Sequence, residues 1–135
     1  MSTKRVDIIF DAGCAVMDVL DKGLAMSKDD VINEIINSGL KGRGGAGFPT
    51  GLKWKFAAGE QADKKYIICN ADEGEPGTFK DREILTKVPE KVFVGMALCA
   101  HATGASEGYI YLRGEYNYLL NDLNAKLDIF NNQMQ

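Results

Sequence analysis

The stretch Gly39–Trp54 constrains this chain more than any other, because glycines stand at 39, 42, 44, 45, 47 and 51. Glycine costs backbone entropy, so a cluster is tolerated where the chain bends sharply or lies against a ligand with no Cβ in between. Arg43, Phe48, Thr50, Lys53 and Trp54 interrupt the glycines and supply charge, a hydroxyl and aromatic faces. A flexible linker would carry Gly and Ser alone. The first reading is therefore a loop that contacts phosphate or nucleotide, and the second an exposed basic turn. It is not a Walker loop, since Lys53 lies two residues past Gly51 and is followed by Trp54. Gly42, Gly44 and Gly47 spell G-x-G-x-x-G, but the dinucleotide fingerprint follows a strand, and here a helix is predicted before the loop.

That helix starts at Ser27, an N-cap residue, with Asp29 and Asp30 where the helix dipole favours acids. Val31, Ile32, Ile35 and Ile36 give it one apolar face, and Gly39 is placed to end it. Upstream, Val6–Phe10 is a short apolar run, and Val16, Val19, Leu20 and Leu24 recur at helical spacing, which predicts a helix over Ala12–Lys22. After Trp54 comes a short helical stretch, then a polar turn from Gly59 to Lys65. Tyr66–Cys69 reads as a buried parallel strand running into a long polar loop, Asn70–Arg82, where open α/β sheets place ligands. Pro89 opens a helix whose face of Val92, Phe93, Met96, Ala97 and Ala100 is widened by Leu98 and Cys99, so it is buried on more than one side. Gly104 ends it, and Tyr109–Leu112 reads as a second strand. Strand, helix, strand is a βαβ crossover with parallel strands. Tyr116, Leu119, Leu120, Leu123, Leu127 and Phe130 then predict an amphipathic helix over Tyr116–Phe130. A sheet of two parallel strands is very small, and parallel sheets want both faces covered. The pattern is the first half of an α/β domain.

Other function classes are disfavoured. The 135 residues fit one domain, and a net charge of −3 weighs against a nucleic-acid footprint. No apolar run is long enough to span a membrane, and Met1–Asp7 lacks the apolar core of a signal peptide, so a cytoplasmic protein is expected. Cys14, Cys69 and Cys99 form no Cys-x-x-Cys pair, and His101 is the sole histidine, so neither a metal site nor an iron–sulfur cluster is expected from these residues. Cys69 and Cys99 read as core thiols. In the second loop Asp72, Glu73, Glu75 and Asp81 cluster. Acids repel phosphate, which suits them to accept hydrogen bonds from ribose or ring N–H groups. Mg²⁺ takes carboxylates too, but no regular ligand spacing appears, and Pro76-Gly77 also makes a solvated turn. Phe48 and Phe56 can stack on a ring or pack in the core, and composition leaves that open. Trp54 reads as core.

Together the two loops are recognisable. Gly-Arg-Gly-Gly-Ala-Gly-Phe-Pro-Thr-Gly-Leu-Lys-Trp (42–54), then Cys-Asn-Ala-Asp-Glu-Gly-Glu-Pro-Gly-Thr-Phe-Lys-Asp-Arg (69–82), closely resembles the flavin subunit of NADH:quinone oxidoreductase, respiratory complex I. Diaphorase subunits of NAD-linked hydrogenases and formate dehydrogenases share these motifs. The resemblance continues through Gly104–Tyr116. It implies a partial Rossmann-like α/β domain with a short parallel sheet, preceded by N-terminal helices, with an N-terminal segment over 1–26 and the first half of an FMN-binding domain over 27–135. It further implies that Gly42, Arg43, Gly44 and Gly45 line an FMN cavity with Lys53 helping to hold the cofactor. Asn70, Asp72 and Glu73 would hydrogen-bond the flavin and its ribityl chain, Phe48 and Phe56 would stack on the NADH adenine, and Glu75 would sit beside the nicotinamide. The implied reaction is hydride transfer from NADH to FMN and electron release to iron–sulfur subunits of a larger complex, with no residue here needed as general acid or base. That complex would be cytoplasmic or peripheral at the inner face of a membrane. The family continues with a Gly-Glu-Glu-Thr motif and a C-terminal cysteine cluster, which these 135 residues lack. The expectation is an N-terminal portion with poor cofactor affinity by itself. The alternative is a non-catalytic binding or assembly module that retains the flavin loop.

Overall fold

The computed structural model describes residues 7–11 and 15–135. Among them, α1 (Val16–Ala25), α2 (Lys28–Asn37) and α3 (Thr50–Gly59) precede β1 (Tyr66–Ala71). Then come α4 (Lys80–Lys87), α5 (Pro89–Thr103), β2 (Glu107–Leu112), a 3₁₀ segment (Gly114–Leu119) and α6 (Leu120–Gln133).

Helix α5 is the hub. Pro89 lacks a backbone N–H, which no helix uses at its first position, and Gly104 closes the other end at φ +79° with its N–H donated to the Ala100 carbonyl at 2.8 Å. The apolar residues between these caps allow contact all round, and α5 touches every other α-helix and both strands. Phe93, 2% exposed, lies with Leu20 of α1, Leu85 of α4 and Leu123 and Phe130 of α6 in the main core. Its ring centroid is 5.6 Å from that of Phe130. A second cluster joins Val31 and Ile32 of α2 to Ala102, with Trp54 of α3 packed against it. The apolar face expected for α2 and the core role expected for Trp54 are both present.

The strands pair in parallel, in register from Tyr66 opposite Glu107 to Ala71 opposite Leu112. Cys69, Ala71, Ile110 and Leu112 turn to the main core, while Tyr66, Ile68, Tyr109 and Tyr111 on the other face are exposed. The βαβ unit stands as expected. Cover on both faces does not, because among the described residues the helices that pack on this sheet do so from one side.

The first helix is shifted from its expected span: it runs from Val16 to Ala25, and residues 12–14, including Cys14, lie outside the described residues, as does Val6. Helix α3 starts at Thr50, inside the glycine stretch, instead of after Trp54. Helix α4 has no counterpart in the reading of the sequence, since Leu85 is its one buried side chain and a single apolar anchor gives no period. The final helix is preceded by a 3₁₀ segment with a break at Tyr116 (φ −96°, ψ 15°). Three residues per turn instead of 3.6 shift the phase, so Tyr116 and Leu119 are buried while Leu120 is 43% exposed. No helix among the described residues is long and apolar enough to cross a membrane.

Candidate functional site

The residues expected to bind a cofactor lie on two loops, one between α2 and α3 and one between β1 and α4. Gly39, at φ +69°, turns the chain out of α2. The loop is then pinched at its base: Lys41 bridges Pro49, the Gly42 N–H donates to the Phe48 carbonyl at 2.8 Å, and the Thr50 N–H donates to the Leu40 carbonyl at 2.9 Å. Gly45 (φ +117°) and Gly47 (φ +62°) adopt conformations that L side chains avoid. A Cβ at Gly44, Gly45 or Gly47 would meet nothing within 4 Å, so these glycines serve turning and open access, not packing. Gly51 is of the other kind. A Cβ there would lie 2.5 Å from Ile36 Cγ1 and 2.7 Å from Ile36 N, so it lets α2 and α3 touch.

The loop runs straight into the N-terminus of α3, whose first N–H groups lack helical acceptors and whose dipole is positive. A bare glycine backbone ahead of a helix N-terminus is an arrangement that receives anions. Arg43 and Lys53 are exposed on it. Phe48 and Phe56 are 48% and 61% exposed, with centroids 6.5 Å apart, which removes the core reading left open by composition.

The acidic loop leaves the C-terminal end of β1. The Asp72 N–H donates to Asn70 Oδ1 at 3.1 Å, the Thr78 hydroxyl donates to the Glu75 carbonyl at 2.7 Å, and Gly77 makes the turn at φ +80°. Asn70, Asp72 and Glu75 are exposed, but Glu73 is 5% exposed. Glu73 Oε1 accepts from the Tyr116 hydroxyl at 2.7 Å, Oε2 accepts from the Asp81 N–H at 2.8 Å, and Lys80 Nζ stands 3.8 Å from Oε2. Burial pushes its carboxyl upward, yet the donors of Asp81, Tyr116 and Arg82 and the charge of Lys80 outweigh that and hold it below the usual value. The Arg113 guanidinium donates to the Glu73 carbonyl and also pairs with Glu115. Asp72, Gly74, Arg113, Gly114 and Glu115 line an open cleft of about 450 Å³.

All the residues expected from the resemblance are exposed except Glu73, which is turned inward. The glycine loop hangs between α2 and α3 and the acidic loop between β1 and α4, while α5 contacts α3 and β1 alike. The sequence gives Arg113 no role and Tyr116 only a place on the apolar face of the last helix, so neither is expected at the site. The available signal was a buried-type ring and a cation directly after an apolar strand, at the end of the sheet where the acidic loop also emerges. An apolar cavity of about 470 Å³ between α5, β2 and α6 involves none of the candidate residues. No group of three or more His, Cys, Asp or Glu among the described residues could hold a metal ion. His101 Nε2 lies 2.9 Å from the Met26 carbonyl. Burial pushes the Cys99 thiol up to about 11, with Lys53 opposing, and also raises Cys69.

Comparison with known proteins gives a consistent result. Residues 35–134 match the model of the Nuo51 FMN-binding domain. The chain is 51% identical over 120 residues to the alpha subunit of the NAD-reducing hydrogenase HoxS of Cupriavidus necator, covering 89% of this chain and 20% of that protein. It is 46% identical over 113 residues to the mitochondrial NADH dehydrogenase (ubiquinone) flavoprotein 1 of Dictyostelium discoideum, covering 82% and 23%. It superposes on an NAD⁺-reducing NiFe hydrogenase in its H2-reduced state with a TM-score of 0.78 at 48% identity, over 84% of this chain and 19% of that one. The chain thus spans about a fifth to a quarter of the length of these relatives.

Proposed function

The chain belongs to the Nuo51 FMN-binding domain family, and from that premise we propose that it forms the flavin- and nucleotide-facing part of an NADH-oxidising module. The observation that carries this reading is the glycine loop, whose bare backbone opens onto the α3 N-terminus beside two exposed cations. That donor set fits the phosphate and ribityl end of FMN. Arg43, Gly44, Gly45 and Lys53 would hold the phosphate end by backbone N–H groups and charge, with Gly42, whose N–H is tied to the Phe48 carbonyl, shaping the loop beside them. Asn70 and Asp72 would accept from the ring and ribityl hydroxyls. Glu73 would do so with acceptor capacity left over from Tyr116 and Asp81, since a carboxylate offers about four lone-pair sites. Phe48 and Phe56 would stack on the adenine of NADH, and Glu75 would stand beside its nicotinamide. When bound, FMN supplies the conversion of hydride chemistry into single-electron transfer. The residues position and shield, and none acts as a general acid or base. Iron–sulfur subunits of a larger complex would take the electrons, and the domain would span residues 27–135 with 1–26 leading into it.

Flavin fluorescence tests the binding step. Titrating FMN into the purified protein is expected to give saturable quenching at tens of micromolar or weaker (about −6 kcal/mol or less favourable). Loss of a charge-assisted bond in Arg43→Ala or Lys53→Ala should weaken this by about tenfold. No saturation up to the solubility of FMN would remove the proposal for this chain. In a preparation that turns over NADH with ferricyanide, Phe48→Ala or Phe56→Ala should raise the KM for NADH about two- to tenfold while the FMN titration stays as it is. The bare tyrosine-rich sheet face is the observation that favours the second reading, a non-catalytic assembly module. Turnover of NADH would exclude that reading.

A further inference from the structure

The segment Arg113–Tyr116 has no part in the cofactor contacts proposed above, yet it meets Glu73 at its side chain and at its main chain. The Tyr116 hydroxyl donates to Glu73 Oε1 at 2.7 Å and the Arg113 guanidinium donates to the Glu73 carbonyl. The Arg113 N–H also donates to the Ala71 carbonyl at 3.2 Å, just ahead of the loop. From the opposite side, the Asp81 N–H at the start of α4 donates to Oε2 at 2.8 Å. Among the described residues the other hydrogen bonds of the loop, Asp72 to Asn70, Gly74 to Asp72 and Thr78 to Glu75, join residues only two or three apart. They shape turns without tying the loop to the fold. Phe79, its one large apolar side chain, is 58% exposed and anchors little. The loop is thus fastened through Glu73, and a buried carboxylate stays buried only while its donors are in place.

We propose that Arg113 and Tyr116 are positioning residues that lock the acidic loop through Glu73 into the shape in which Asn70, Asp72 and Glu75 face the cofactor. The cofactor half of this statement rests on the FMN reading. The lock itself is a property of the free protein.

Native-state chymotrypsin cleavage after Phe79, without flavin and with sites assigned by mass spectrometry, reads loop opening directly, because cleavage follows the open population. Tyr116→Phe keeps the buried ring and removes one hydroxyl. It should raise cleavage after Phe79 about five- to tenfold, the scale of one buried hydrogen bond, while cleavage after Phe56 on α3 stays within twofold. Arg113→Met should do the same, and Arg113→Lys, which keeps a cationic N–H donor without the planar fork, should recover part of the protection. In Glu73→Leu, adding Tyr116→Phe should increase cleavage no further. The same variants should weaken FMN by a similar factor. Equal cleavage after Phe79 in wild type, Tyr116→Phe and Arg113→Met, or a rise after Phe56 by the same factor, would overturn the lock. If the wild type fails to bind FMN while cleavage changes as stated, the cofactor reading falls and the lock stands. If FMN binds and cleavage is indifferent to every variant, the reverse holds.

Discussion

At Glu73 a single carboxylate carries the chemistry of the loop around it. Its donors, Tyr116 and the Asp81 N–H, favour the charged form, so its folded pKa lies below its ordinary 4.5. A depressed carboxylate contributes stability above its unfolded value and loses it as pH falls through the folded one. Glu73→Gln should therefore lower the urea midpoint near pH 7, and the gap from wild type should close as pH drops below 4.5. A gap that stays constant down to pH 3 would show that the charge is not what the donors hold. The residue identity was plain in the sequence, as one acid of a polar cluster. Its burial was not, because the donor that buries it stands 43 residues later in Tyr116.

Among the elements, α2 and α3 are held together by a glycine that resembles its neighbours in sequence and differs from them in space. Gly51→Ala places a methyl 2.7 Å from the Ile36 backbone nitrogen, which no rotamer change relieves, so the helices must part. The expected cost is about 1–3 kcal/mol, read as a lower urea midpoint. Gly44→Ala, with open space around it and no positive φ, should stay within about 0.5 kcal/mol, so any loss of FMN binding there would report ligand approach and not folding. Spacing gave the ends of α2 and α5 because their caps are local chemistry: Ser27 accepts from the Asp30 N–H at 3.1 Å, and Gly104 turns left-handed. It did not give α4, whose single buried residue leaves no period, nor the 3₁₀ segment, whose Tyr116 is drawn inward by a distant acid.

For the whole molecule, stability is concentrated around α5. Phe93→Ala should cost about 3–5 kcal/mol. That is a large share of the about 5–15 kcal/mol typical of a domain, and thermal unfolding by circular dichroism will show it. Substituting Tyr111 by Thr on the bare sheet face should change stability by no more than about 0.5 kcal/mol, because its side chain is 63% exposed. The sequence by itself determined the two loops, the parallel βαβ unit, the hub helix and the family, since each rests on short-range signals: glycine density, caps, apolar period and motif order. Only the tertiary structure decided the rest. It divided the glycines of Gly39–Trp54 into those that open the backbone and one that lets two helices touch. It put Phe48 and Phe56 outside the core and Glu73 within it. Burial is set by what the chain brings back from tens of residues away, and no local pattern encodes that.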